Sequence, residues 1–377
     1  MSVAGIIFSN IHDSSIPELT NIRTMASVPF GCRYRLIDFP LSYMVNSGIN
    51  KIGIITHDNY QSLMDHIGTG KDWDLARRSG GIKILPPFIS TTGISRGGRL
   101  YTSRLEALIG VMTFITRCNE DYIVLSDCDC ICNIDLNDVI EAHIAQNADM
   151  TIVSRPAAEN ETLPTEGETV IKCDDNGLIL ETAAYQKNTL NVEISTNIIV
   201  ANRTFLINLL NESAAHGYSH FYRDAISKRL GKSRIYRYLY EGIYLQISSM
   251  EDYFSASMRL LDTDVRDGLF NVANRPIYTK LRNSSPTIYA EDAKVKNSYV
   301  ADGCVIEGEV ENCIIFRGVH IGKGTVVKNS VLMQDTFTGN NVMLNCVVTD
   351  KNTAIRDGRM LSGHETMPFF IPKGTMI

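Results

Sequence analysis

The chain has 377 residues, 36 of them basic and 42 acidic, and its net charge of −6 argues against a broad electrostatic hold on nucleic acid. Its length exceeds one ordinary core and suggests two domains. No apolar run could span a bilayer, no secretory leader opens the chain, and nine cysteines suit a reducing compartment better than a disulfide framework, so a cytoplasmic protein is expected.

The first apolar run, Val3–Phe8, predicts a strand. Further strands are predicted at Lys51–Thr56, Tyr122–Ser126, Met150–Ser154 and Ile194–Ala201. Between and after them, helices are predicted at Leu41–Ser47, Tyr60–Ile67, Ser103–Thr116, Leu136–Gln146, Arg203–Asn211 and Met250–Asp262. Alternation of this kind predicts a Rossmann-like α/β domain over residues 1–262, a mostly parallel sheet with helices on both faces. Ligands of such sheets sit beyond the carboxyl ends of the strands, where the loop Ser9–Thr20 lies.

Thr263–Ser285 reads as a linker, and from Pro286 the texture changes. Asparagine followed by a small residue recurs at Asn297, Asn312, Asn329 and Asn345, at spacings of 15, 17 and 16, each time ahead of an apolar pair. That period predicts a left-handed parallel β-helix of hexapeptide type over residues 286–377, in preference to short antiparallel strands. Its flat faces and coil edges favour contacts with other subunits.

The segment PFGCRYRLIDFPLSYMVNSGI (Pro29–Ile49) strongly resembles the ADP-glucose pyrophosphorylase family, also called glucose-1-phosphate adenylyltransferase. The resemblance extends over the whole chain and implies a nucleotidyltransferase domain followed by a left-handed β-helix. Members join glucose 1-phosphate to the α-phosphate of ATP with Mg²⁺, which calls for backbone amides, cations and metal around the developing charge.

Each of these elements is altered. Where the family carries a glycine-rich loop and an arginine, this chain has Asn10, Ile11, Asp13 and Ser15. Ile11 disfavours the backbone conformations such a loop uses, Asp13 is an acid beside the expected phosphates, and Ser15 cannot replace an arginine. Met25 stands for a lysine, and Ser103-Arg104 for a Gly-Thr pair in LYTSRLEA (Leu100–Ala107). Of the two metal carboxylates, Asp129 is retained while Gln246 replaces the second. GLILETAAYQKNT (Gly177–Thr189) lacks the sugar-phosphate motif, and from a second substrate motif only Ser195 survives. No catalytic residues are therefore assigned; Asp129 and Ser195 are vestigial, and no metal site is expected.

The resemblance then implies the noncatalytic, modulatory subunit that accompanies catalytic pyrophosphorylase chains in some bacteria. Mg²⁺ and ATP would belong to that catalytic partner, no cofactor would bind strongly here, and the two chains would form a hetero-oligomer, a tetramer by expectation. The alternative is a weakly active or altered-substrate sugar-1-phosphate nucleotidyltransferase. A β-helix acyltransferase is a third reading, with no histidine base in a substrate coil to support it.

Arg23, Arg33 and Arg35 form a candidate site for a phosphorylated small-molecule effector. Against it stands a structural reading, ion pairs with Asp38 or another chain, which is favoured. Cys128, Cys130 and Cys132 fall on one face of an extended segment, but without a matching Cys/His pair they read as buried thiols. Asp127 and Asp129 could hold a cation only weakly from one side.

Overall fold

The computed structural model describes residues 2–86, 101, 103–157, 168–186 and 192–377. Val3–Phe8 forms the centre of a nine-stranded sheet, flanked in parallel by Lys51–Ile55 and Tyr122–Asp127, with Gly81–Leu85 beyond Lys51–Ile55. Glu193–Asn202 runs antiparallel to Tyr122–Asp127 and carries Met150–Pro156 on its other side, followed by Ile235–Leu239. The hairpin Thr169–Cys173/Ile179–Ala184 joins at the Glu193 end. Seven of the nine strands point the same way, so the sheet is mostly parallel as expected.

Both faces are covered, which is why these strands read as unbroken apolar runs. Ala4, Ile6 and Phe8 pack with Leu105, Leu108, Leu206 and Leu209, which come from the helices Arg104–Gly110 and Arg203–His216. Ile7 faces the other way, toward Leu41, Leu63 and Ile140 of Asp38–Asn46, Gln61–Ile67 and Leu136–Ala145. The helix expected over Ser103–Thr116 is broken at Val111 into Arg104–Gly110 and Met112–Thr116. Within the stretch expected as a linker, Thr263–Phe270 is a helix, capped by the Asp262 carboxylate on the Asp264 N–H. Val265 and Leu269 are buried in the core between the domains, so packing rather than loop composition decides that segment.

Three five-stranded parallel sheets then build the left-handed β-helix. Asn297, Asn312 and Asn329 each adopt a left-handed backbone, and their amides form a ladder, Asn297 to Asn312 (2.8 Å), Asn312 to Asn329 (3.2 Å) and Asn329 to Asn345 (3.0 Å). Coil register explains the uneven spacing. Ile314 pairs with Val331 and Val331 with Val348, so the coil after Val331 places Cys346 at the turn where Asn329 stood. Cys346 takes the left-handed turn there, and Asn345 joins the ladder from one residue earlier.

The sheet containing Ile314, Val331 and Val348 packs against the first domain, sharing a core with Met25, Phe30, Phe39, Tyr253 and Leu260. All nine cysteines are free; Cys128, Cys130 and Cys132 are buried. Among the described residues no helix is long and apolar enough to cross a membrane.

Candidate functional site

Phe8 and Asp127 are in register at the carboxyl ends of adjacent parallel strands, so the loop after Phe8 lies beside Asp127. That loop is a short 3-10 turn, Asp13–Ser15, fixed by its own side chains. Asn10 accepts a hydrogen bond from the Tyr101 hydroxyl at 2.9 Å. Asp13 does not face a phosphate position: its carboxylate accepts the Met25 N–H at 2.6 Å, and its carbonyl accepts the Thr20 hydroxyl at 2.6 Å. Burial pushes the Asp13 carboxyl up to about 7, against the Met25 hydrogen bond. Met25 is 1% exposed and belongs to the interdomain core, so the position of a lost cation now contributes to packing.

His12 extends from this turn to the acids. Its Nε2 lies 2.9 Å from one Asp127 oxygen and 3.5 Å from an Asp129 oxygen. Arg104, the first residue of its helix, ion-pairs with the same Asp127 oxygen and stacks its guanidinium over Phe8, 5.5 Å from the ring centre. The strand Tyr244–Gln246 pairs with Cys130–Cys132 in antiparallel register, which sets Gln246 beside Asp129; its amide nitrogen is 3.4 Å from the carboxylate. Asp127 is fully buried and Asp129 is 3% exposed.

The charges explain one another. Burial disfavours the His12 cation, but Asp129 and then Asp127 outweigh it and raise the imidazole to about 9. Burial also opposes ionisation of Asp127, yet Arg104 and His12 hold it below the usual carboxylate range. Asp129 is pushed up by burial and by Asp127, with His12 opposing.

Beside this quartet opens a cavity of about 650 Å³. Ile11, His12, Ser15 and Arg104 line it together with Thr182, Ser195, Asn197 and Tyr222. The Ser195 and Tyr222 hydroxyls are 2.6 Å apart, and Tyr222 donates to Asn197 at 3.1 Å. A wall of hydroxyls and an amide suits a polar, many-hydroxyl ligand. The structure therefore brings Ile11, Ser15, Asp129, Ser195 and Gln246 to one cleft and takes Asn10, Asp13 and Met25 into structural contacts. Leu100 and Thr102, within the expected substrate segment, and residues 187–189 lie outside the described residues.

His12 and the pairing role of Arg104 were missed in the sequence. The available signal was topological, since a histidine just past the first strand lies beside an acidic Asp-x-Asp that ends the neighbouring one.

The three arginines separate. Arg23 is 3% exposed and ion-pairs with Asp350 of the β-helix at 2.6 Å. Asp38 is not their ionic partner: its carboxylate takes the Arg35 backbone N–H and His66, while the Arg35 guanidinium donates to the Ser62 carbonyl and hydroxyl. Arg33 and Arg35 line a small interdomain cavity, about 30 Å³, with Lys280, Arg282, Arg317 and Lys351. Burial, with Arg35 and Arg23 nearby, lowers Lys351 to about 7.

A family model described as nucleotidyl transferase matches residues 16–181, and one described as GlmU-like, C-terminal hexapeptide matches residues 286–366. The chain is 33% identical over 372 residues to the glycogen biosynthesis protein GlgD of Bacillus subtilis, covering 98% of this chain and 95% of that protein. It is 36% identical over 373 residues to the GlgD of Geobacillus stearothermophilus, with 99% and 96% covered. The glucose-1-phosphate adenylyltransferase of Fervidobacterium nodosum is 32% identical over 361 residues, with 95% of this chain and 85% of that protein covered.

Proposed function

The chain belongs to the family of glucose-1-phosphate adenylyltransferases and GlgD proteins, and from that premise we propose that it is a catalytically deficient regulatory subunit in glycogen biosynthesis. It assembles with a catalytic homologue, as a hetero-oligomer and by expectation a tetramer, and alters that partner's formation of ADP-glucose. Mg²⁺ and ATP belong to the partner, and the cytoplasm is the place of work.

The observation that carries this reading is the loop after Val3–Phe8. No glycine lies between Ser9 and Phe30, and the turn is closed by Asp13 on Met25, Asn10 on Tyr101 and His12 on Asp127. A triphosphate needs close backbone approach and open amide donors at such a loop; a turn braced by its own side chains supports regulation rather than turnover. Near end-to-end matching to both GlgD relatives supports the same side of the family.

The alternative, a weakly active or altered-substrate sugar-1-phosphate nucleotidyltransferase, is favoured only by the 650 Å³ cavity with Ser195 and Asn197 in its wall. The interdomain cavity supports a phosphorylated effector held by Arg33 and Arg35, with Lys280, Arg282 and Lys351 rather than Arg23 completing the cationic wall.

Co-expression with a catalytic homologue, size-exclusion chromatography and kinetics of each chain alone and together test the proposal. One shared peak is expected, with partner rate or effector response changed by roughly 5–150-fold. Separate peaks and unchanged partner kinetics at every mixing ratio refute it.

A further inference from the structure

Asp127 and Asp129 raise a question that loss of catalysis does not answer, namely why two buried acids persist side by side. Like charges this close, 0% and 3% exposed, cannot both remain ionised without a counter-charge. Mg²⁺ would demand near-octahedral coordination by oxygens at about 2.0–2.1 Å. The residues here do not fit that ion. One Asp127 oxygen already receives His12 Nε2 at 2.9 Å and an Arg104 amino group, while the other is buried without a hydrogen-bond partner. The Asp129 oxygen faces His12 at 3.5 Å and the Gln246 amide nitrogen at 3.4 Å. Among the described residues the side chains paired with these oxygens are nitrogen donors; of them only the His12 imidazole could turn into a ligand, and Mg²⁺ would still lack the further oxygen ligands it needs.

Arg104 makes the point independently. It begins the helix Arg104–Gly110, where the Ser103 hydroxyl caps the Glu106 N–H. A cation in the first turn opposes the helix dipole, so the position carries a helix penalty. The compensation visible is the buried contact with Asp127 and the Phe8 ring beneath the guanidinium. Arg104 is there for the acids.

We propose that His12 and Arg104, by occupying the carboxylate oxygens they contact, close the Asp127–Asp129 position to divalent metal. The four side chains form a cluster beside the 650 Å³ cavity, tied through one Asp127 oxygen and one Asp129 oxygen. A divalent ion bound at that Asp127 oxygen must displace the Arg104 guanidinium and the His12 ring together. The cleft is thus sealed against metal by residues gained, beyond the ligand lost at Gln246, and any occupant of the adjoining cavity is held without one. This inference concerns the isolated chain and does not depend on assembly with a partner.

Mn²⁺ is the probe, titrated into the full chain and read as free ion by electron paramagnetic resonance. Wild type should show no stoichiometric site at sub-millimolar metal. His12→Ala/Arg104→Ala should gain one site per chain, at least about tenfold tighter, and adding Asp129→Asn should remove it. Circular dichroism confirms folding; should the double variant not fold, His12→Asn and Arg104→Gln separately must each bind Mn²⁺ more tightly than wild type. A wild-type site that disappears in Asp129→Asn overturns the proposal. So does a folded plug variant that binds no tighter than wild type.

Discussion

Arg23 and Asp350 are 327 residues apart in sequence, yet one Arg23 amino group lies 2.6 and 2.9 Å from the two carboxylate oxygens, with both side chains almost wholly buried. The pair joins the loop region of the first domain to the β-helix. A buried pair is costly to break because the survivor is left charged without a partner.

Arg23→Ala should therefore lower the free energy of unfolding by about 3–5 kcal/mol, measured by urea denaturation. Arg23→Met with Asp350→Leu should recover much of that loss, since two apolar groups leave no orphaned charge. A single-variant loss below about 1 kcal/mol would mean the contact behaves as an exposed pair.

Met25→Lys places a cation back at the family's lysine position, but inside an apolar core shared with Phe30, Tyr253 and Val348. We expect a loss of roughly 2–5 kcal/mol and no gain of ADP-glucose synthesis. Unchanged thermal stability would show that the side chain escapes to solvent.

Gln246→Asp alone should not produce Mg²⁺-dependent synthesis, because His12 and Arg104 still hold the neighbouring acids and the loop remains closed. The unmodified chain, free of contaminating enzyme, should likewise stay far below the usual turnover of about 1–10³ s⁻¹. Robust turnover by either would remove the basis for calling the chain deficient.

Lys351 gives a pH dependence of definite sign. Its folded value of about 7 lies below the ordinary 10.5, with burial first and then Arg35 and Arg23 lowering it, Asp350 raising it and Arg282 lowering it further. The unfolded chain thus holds more protons between these values, so this residue's contribution to stability rises with pH across that window. Its penalty is complete below pH 7. Lys351→Met should raise the melting temperature at pH 6, with the advantage shrinking toward pH 10. Sulfate, whose charge is the same at both pH values, should stabilise wild type more at pH 6 than at pH 9; equal effects would place the anion elsewhere.

Much of the architecture was legible because its signals are local. Val3–Phe8 declared itself as an apolar run, and the first two asparagine spacings equal the coil lengths. Thr263–Phe270 was not legible, since its two buried residues find their partners only in the assembled interdomain core. The cleft was half legible. Asn10, Ile11 and Gln246 announced what had been removed, whereas His12 and Arg104 acquire meaning only when separate strands bring them to Asp127. Arg23 reads in sequence as part of an effector site or as a partner of Asp38 or another chain, and the fold pairs it with Asp350 on the other domain.

The stretch from Ser9 to Ser27 is stapled at three points: His12 to Asp127, Asp13 to the Met25 backbone, and Arg23 to Asp350. It cannot be exchanged as a cassette. Replacing it with an unrelated loop would cut ties to the sheet and to the β-helix at once, leaving Asp127 with Arg104 alone and Asp350 without its buried partner. A functional graft must carry its own neutral or cationic answers to both acids, which makes the minimum exchangeable unit discontinuous in the gene.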